Sequence, residues 1–288
     1  MLADAIRAEG YRLLRNRMTV FWSVLFTPLL FAVGGALFHV LTKGRGDEMA
    51  AEANLQLPAP TEALNLADAL LFGASGAANG VLLVLMLVTA ATVYAGDYRW
   101  ESWRLITARN SRVNLLLGKV GVMKLTALAA TFAMVIAAFV FFLAQALVYE
   151  RGITFNLTGE MAGDSALVWL LSYIRIVQYG LIALLTAVMT RSLLAALFVP
   201  WAVGFVQSLL GSPPVLGLLK LEPGDWPAQL MLPGLAYDTL KNAISPGLAN
   251  AMAQADSIWP SIIGLAIWII VPLGLALLLF KRQDLSKE

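Results

Sequence analysis

There is no cysteine among the 288 residues of the chain. Disulfides, thiolate catalysis, iron–sulfur clusters and cysteine zinc sites are therefore excluded. A single histidine, His39, has no second histidine and no local carboxylate beside it, so neither a metal site nor a nucleophile–histidine–acid arrangement finds its parts. Charge is scarce: Asp, Glu, Lys and Arg make up 13% of the chain, against the roughly 25% usual in soluble domains. So few charges do not cover the surface of a water-soluble protein of this length, and a formal net charge of +2 offers nucleic acid little. A phosphate loop is also missing. Gly118-Lys119 is followed by Val120, and Val113 stands where the first glycine of the motif belongs.

Apolar residues, by contrast, reach 59%, with a mean hydropathy of +0.77. A bilayer core takes about 20 mostly apolar residues per helix. Six such stretches occur, near Thr19 to Thr42, Gly73 to Tyr94, Leu125 to Val148, Leu167 to Thr190, Leu193 to Leu210 and Pro260 to Phe280. The expected fold is an all-α integral membrane protein, one transmembrane domain over residues 1–288. The first stretch is too long for the ~7–15-residue apolar region of a cleaved signal and reads as a retained span. Pro28, Pro200 and Pro272 fall inside spans and are expected to bend them. Gly76 and Gly80 have the four-residue spacing that lets helices approach closely in lipid.

Lys and Arg mark the cytoplasmic side of membrane proteins. Fourteen of the 20 basic residues fall on one side: Arg7, Arg12, Arg15 and Arg17; Arg99, Arg104, Arg109, Arg112, Lys119 and Lys124; Arg191; and Lys281, Arg282 and Lys287. Five fall on the other, Lys43, Arg45, Arg151, Lys220 and Lys241, and Arg175 lies within a span. Both termini are thus expected in the cytoplasm.

Residues 1–18 read as a basic amphipathic helix, with Leu2, Ile6 and Leu13 at helical spacing and Arg7, Arg12 and Arg15 on the other face. It serves either as an interfacial helix or as an orientation signal alone. The connection at 96–119 is longer and more patterned than a turn needs. Trp100, Trp103 and Ile106 recur every third residue, with Arg99, Glu101 and Arg104 on other faces, and Ser111 is an N-cap for a following helix. Two Trp and several Arg on one short helix have the composition of a docking surface, or of an interfacial anchor with Arg at phosphates.

Asp97-Tyr98, Leu105-Ile106, Ser111-Arg112 and Gly118-Lys119, in DYRWESWRLITARNSRVNLLLGK, resemble the cytoplasmic loop of permease subunits of type-2 ATP-binding-cassette (ABC) transporters. Glu101-Ser102 stands where that family has Gly-Thr, and no proline precedes Ser111-Arg112. The layout is also similar: a basic N-terminal helix, six spans, a long outer segment before the last span and a basic tail. The resemblance implies a subunit of an exporter in a bacterial inner membrane, itself without enzymatic activity or cofactor. It implies a second permease subunit, identical or different, and two copies of a separate ATPase that hold ATP and Mg. It gives Asp97, Arg99, Trp100, Glu101, Trp103, Arg104 and Arg112 to a coupling helix and loop that dock on that ATPase.

Polar residues inside spans are functional candidates by default. Arg175 and Gln178 share a helix face, and with Asn79 and Gln207 they are expected either to line a translocation path or, for Arg175, to snorkel toward headgroups. Residues 211–259 are rich in Leu and broken by six prolines, which reads as short re-entrant or interfacial helices in an outer segment. Two other classes are open from sequence. A secondary transporter or channel would use ionisable residues within spans, of which Arg175 is one. An intramembrane lipid-modifying enzyme would need convergent His, Asp or Glu. No residue discriminates among transported substrates.

Overall fold

The computed structural model describes residues 2–43, 63–99, 103, 107, 110–246 and 257–283. It is a bundle of α-helices, six of them long and apolar enough to cross a membrane. The chain is a multi-pass membrane protein.

Helix α1 covers Leu2–Arg15, and α2 is the first long helix, Arg17–Thr42. Helix α2 widens into a π-helical turn at Phe21–Phe26, just ahead of Pro28. Proline has no N–H for the carbonyl one turn back, and its ring crowds that carbonyl, so a wider turn relieves the clash. Helix α3 (Asp68–Gly76) and helix α4 (Gly80–Arg99) are two pieces of what the sequence shows as one apolar stretch. The break comes at Asn79, whose Oδ1 accepts from the Leu82 N–H at 2.9 Å while its Nδ2 donates to the Gly76 carbonyl at 2.8 Å. An Asn that caps one helix and closes another favours an interruption over a continuous rod.

Helix α5 (Arg112–Val148) starts at the expected cap, where Ser111 Oγ accepts from the Asn114 N–H. It is 37 residues long and extends the expected third span well back toward the loop. Helix α6 (Gly159–Thr190) is capped by Thr158 and ends at Arg191 in the left-handed region, φ 57°. A two-residue turn then leads to the Ser192 cap of α7 (Leu193–Leu210). Three short helices follow, α8 (Pro213–Leu218), α9 (Trp226–Met231) and α10 (Pro233–Ile244), each with proline in its first turn. The last long helix, α11, is Ile258–Arg282. The far end also holds a two-residue parallel pairing, β1 (Leu64–Asn65) with β2 (Ile153–Thr154).

Helix α6 lies at the centre, packed by α3, α4, α5, α7, α10 and α11. Its buried face is built of small and branched residues, among them Gly180, Ala183, Leu184 and Ala187. In lipid, where apolar burial alone does not hold helices together, such residues permit close van der Waals contact. At Gly73 of α3, a Cβ would come within 2.8 Å of the Val135 Cα of α5, so this position accepts only glycine without a backbone shift.

Alternation of the long helices brings α1, the end of α4, the start of α5 and the end of α11 together. This is the basic end of the bundle. The opposite, far end holds the β pairing and the prolines of α8 to α10.

Candidate functional site

Helix α1 does not stand apart from the bundle. It packs on the first turns of α5, where Ala5 sits over Gly118 and Ile6 over Gly121. A Cβ at Gly118 would lie 2.8 Å from the Ala5 Cβ and 3.1 Å from its backbone carbon. The inward face of α1 is Ala5, Glu9 and Leu13 with Ile6 packed beside it; of the apolar face drawn from hydropathy Leu2 alone is exposed. Two glycines on α5 open the space for that face.

That seam carries Glu9 onto Lys119. The Lys119 ammonium lies 3.3 Å from Glu9 Oε2 and 2.5 Å from Asp97 Oδ2, and it donates to the Val93 carbonyl at 2.8 Å. Arg12 completes the group, with one nitrogen 2.9 Å from Glu9 and another 2.8 Å from Asp97. Among the described residues, two acids and two bases from α1, α4 and α5 thus close on one another in one cluster. Asp97 is fully buried and Lys119 is 1% exposed. Hydrogen bonding from Asp97 raises the Arg12 guanidinium above its already high ordinary value, against the opposing effect of burial. Charges taken out of water this far persist only when each has a partner.

Trp103 closes the cluster from the loop side. Its ring is 1% exposed, 5.3 Å from the Lys119 ammonium, 5.6 Å from the Tyr98 ring and 4.7 Å from the Phe280 ring. The Trp103 side chain therefore faces into this chain, not outward as part of a docking stripe. Thr107 Oγ1 donates to the Trp103 carbonyl at 2.8 Å. Arg99 ends α4, whereas Trp100, Glu101 and Arg104 lie outside the described residues.

Arg112 reaches the end of α11, donating to the Lys281 carbonyl at 3.3 Å and the Gln283 carbonyl at 2.5 Å. A cation on the last carbonyls of a helix satisfies groups that have no partner within it. Gln283 then accepts from the Tyr98 hydroxyl at 2.8 Å and donates to the Val188 carbonyl at 3.2 Å. Helices α4, α5, α6 and α11 are tied together at one point. Glu9, Lys119, Tyr98 and Gln283 were not among the site residues expected from sequence; Glu9 meets Lys119 across 110 residues, Lys119 meets Asp97 across 22 and Tyr98 meets Gln283 across 185.

The four residues expected along a path each have a different setting. Gln178 is buried and donates to the Leu265 carbonyl of α11 at 3.0 Å. Asn79 is occupied as a cap. Gln207 is buried on α7, its amide nitrogen without an acceptor among the described residues. Arg175 turns the other way from Gln178, toward α10, with its guanidinium 4.6 Å from the Tyr237 ring and 5.8 Å from the Tyr179 ring. His39 is enclosed by the Phe141, Tyr149 and Phe38 rings, and no group of three metal-ligating side chains occurs among the described residues. In comparisons with protein-family models, with curated proteins and with solved structures, the chain matches none.

Proposed function

We propose that this chain is the membrane-spanning subunit of an ATP-driven exporter of the ABC type, a homodimer or heterodimer half that works with two copies of a separate ATPase. The observation that supports this reading best is the closed cluster of Glu9, Arg12, Asp97 and Lys119 under Trp103. It joins the loop at 96–119 to α1 and to the ends of two long helices. A push on residues 99–108 by an ATPase closing on Mg-ATP reaches α1, α4 and α5 together, and Phe280 under Trp103 carries it to α11. Rigid connection at a helix end is what a lever needs if force at the surface is to tilt helices in the bilayer.

In this reading the basic end faces the cytoplasm of a bacterial inner membrane, with both termini on that side. Residues 99–108 form the coupling segment, and α1 lies at the interface beside them. Helices α8 to α10 cap the outer side, partly inserted beside α11: the Trp268 indole N–H donates to the Leu230 carbonyl at 2.9 Å, 10 residues or about 15 Å along α11 from its outer end. The chain itself holds no ATP and catalyses no reaction.

Affinity purification of the tagged chain is expected to recover an ATPase, and Trp100→Asp to lose it. Trp103→Asp is the wrong probe, because it places a charge in the buried cluster. A transport-active protein purified without any nucleotide-binding partner would overturn the reading. Arg175, inside a long helix and without an ion pair among the described residues, is the feature that favours a secondary transporter instead. Uptake or efflux in vesicles driven by an ion gradient without ATP decides for that alternative.

A further inference from the structure

At the far end, two cations share one aromatic ring. The Arg175 guanidinium lies 4.6 Å from the centre of the Tyr237 ring and the Lys241 ammonium 5.8 Å from it, so the cations are within roughly 10 Å of each other. The ring is fixed in place, its hydroxyl 3.0 Å from Ser172 Oγ, which donates to the Ala74 carbonyl at 2.8 Å. Arg175 makes no hydrogen bond and no ion pair among the described residues. The Arg175 side chain is half-buried, so the fork is not sealed off. Asp238 stands nearby without an ion pair to either cation, and burial pushes its carboxyl above the usual carboxylate range. Counted together, Arg175, Lys241 and Asp238 carry a formal charge of +1 at most when the acid is ionised.

Next to these cations is an apolar groove of about 520 Å³ between α2 and the α3–α4 break. Thr27, Phe31, Gly34, Phe38, Phe72 and Ser75 are among the residues that line it. Ser75 joins the two features, because its carbonyl accepts from the Lys241 ammonium at 3.3 Å.

Helix rise sets the depths. Ser172 is 18 residues, about 27 Å, from the Thr190 end of α6, and Arg175 about 22 Å. With a hydrocarbon core of about 30 Å measured from the basic end, the Arg175 backbone lies about 8 Å inside the far boundary, close to the reach of its own side chain. Thr27 and Phe38 lie 10 and 21 residues from Arg17, or about 15 and 31 Å along α2. The groove therefore runs through the far half of the core, with Arg175 level with its middle, so the part of it on the bilayer-centre side of the fork is the part open to an acyl chain.

We infer that this is a binding site for an anionic lipid of the far leaflet, its phosphate between Arg175 and Lys241 and one acyl chain in the groove. A bidentate guanidinium suits a phosphate, and the Tyr237 ring holds it without neutralising it. The site is independent of the ATPase reading and stands at the opposite end of the molecule.

The test reconstitutes the full chain in mixed phosphatidylglycerol and phosphatidylcholine nanodiscs, extracts it in mild detergent, and measures retained lipid by native mass spectrometry. Wild type retains phosphatidylglycerol in preference by on the order of tenfold, the scale expected of two cations at the surface. Arg175→Gln with Lys241→Gln removes the preference, whereas Lys124→Gln at the basic end keeps it. Gly34→Leu fills the groove, since a Cβ there meets nothing within 4 Å, and lowers phosphatidylglycerol retention with the thermal midpoint kept. Unchanged preference in the Arg175 and Lys241 variant overturns the inference, as does unchanged retention in Gly34→Leu. Displacement of the lipid by millimolar inorganic phosphate overturns the acyl-chain half and leaves only an ion site.

Discussion

The two ends of the bundle treat charge in opposite ways. At the basic end two acidic and two basic side chains close on one another, with Asp97 and Lys119 almost without access to solvent. At the far end Arg175 and Lys241 sit against a tyrosine ring, and Arg175 has no acceptor among the described residues. A cluster closed in this way is a joint, in which each member holds another in place. An open fork beside an apolar groove has interaction capacity to spare, which is the condition for binding something from outside.

The largest expected loss follows from opening the joint on one side only. Lys119→Ala leaves Asp97 and Glu9 buried without their cation and is expected to destabilise by about 3–5 kcal/mol, read from the midpoint of denaturant unfolding in detergent. Asp97→Leu with Lys119→Met, which removes charge of both signs, is expected to cost clearly less than either single change. A joint that is only an exposed ion pair would show single losses below about 1 kcal/mol.

Next comes the seam that brings Glu9 into place. Gly118→Ala forces a methyl onto Ala5 and is expected to cost about 1–3 kcal/mol as overpacking. Proteolysis at Arg7 and Arg12 should accelerate as α1 lifts off. Unchanged cleavage would show that α1 is not held by this contact.

At the open end the same kind of change should be mild. Arg175→Gln is expected to move stability by no more than about 0.5 kcal/mol, since no ion pair is broken, while lipid preference falls. A loss as large as that of Lys119→Ala would mean that Arg175 is a structural charge after all.

The smallest effect is one of pH. Burial raises the Asp238 carboxyl above its ordinary value, so the folded state holds the proton more tightly than the unfolded chain. Its contribution to stability is greatest below the unfolded value, near pH 4, and declines as pH rises through the raised folded value. Asp238→Asn should flatten that decline and raise the thermal midpoint slightly at neutral pH. A midpoint that instead drops at neutral pH would show the ionised carboxylate to be stabilising.

The existence of six apolar helices was plain in the sequence, because length and hydropathy decide it locally. So was the Ser111 cap, a property of one side chain and the N–H three residues on. The break at Asn79 was not, since hydropathy runs through it and only the paired hydrogen bonds of the Asn side chain stop the helix. Asp97 and Arg112 stand in a motif, whereas Glu9, an acid on a basic helix, carries no local signal. Its partner Lys119 is 110 positions away and meets it only because Gly118 and Gly121 let α1 come close. Trp103 had the spacing of a surface stripe, and its burial depends on Phe280 arriving from the other end of the chain. Gln178 and Arg175 share a helical face by arithmetic, but α11 engages one and α10 the other.

The difference between a closed and an open charge can be measured as a pair of double-mutant cycles on unfolding in the same detergent. One cycle removes Asp97 and Lys119 singly and together; the other removes Arg175 and Asp238. A coupling energy of about 1–3 kcal/mol is expected in the first and no more than about 0.5 kcal/mol in the second. Equal couplings at the two ends would contradict the account.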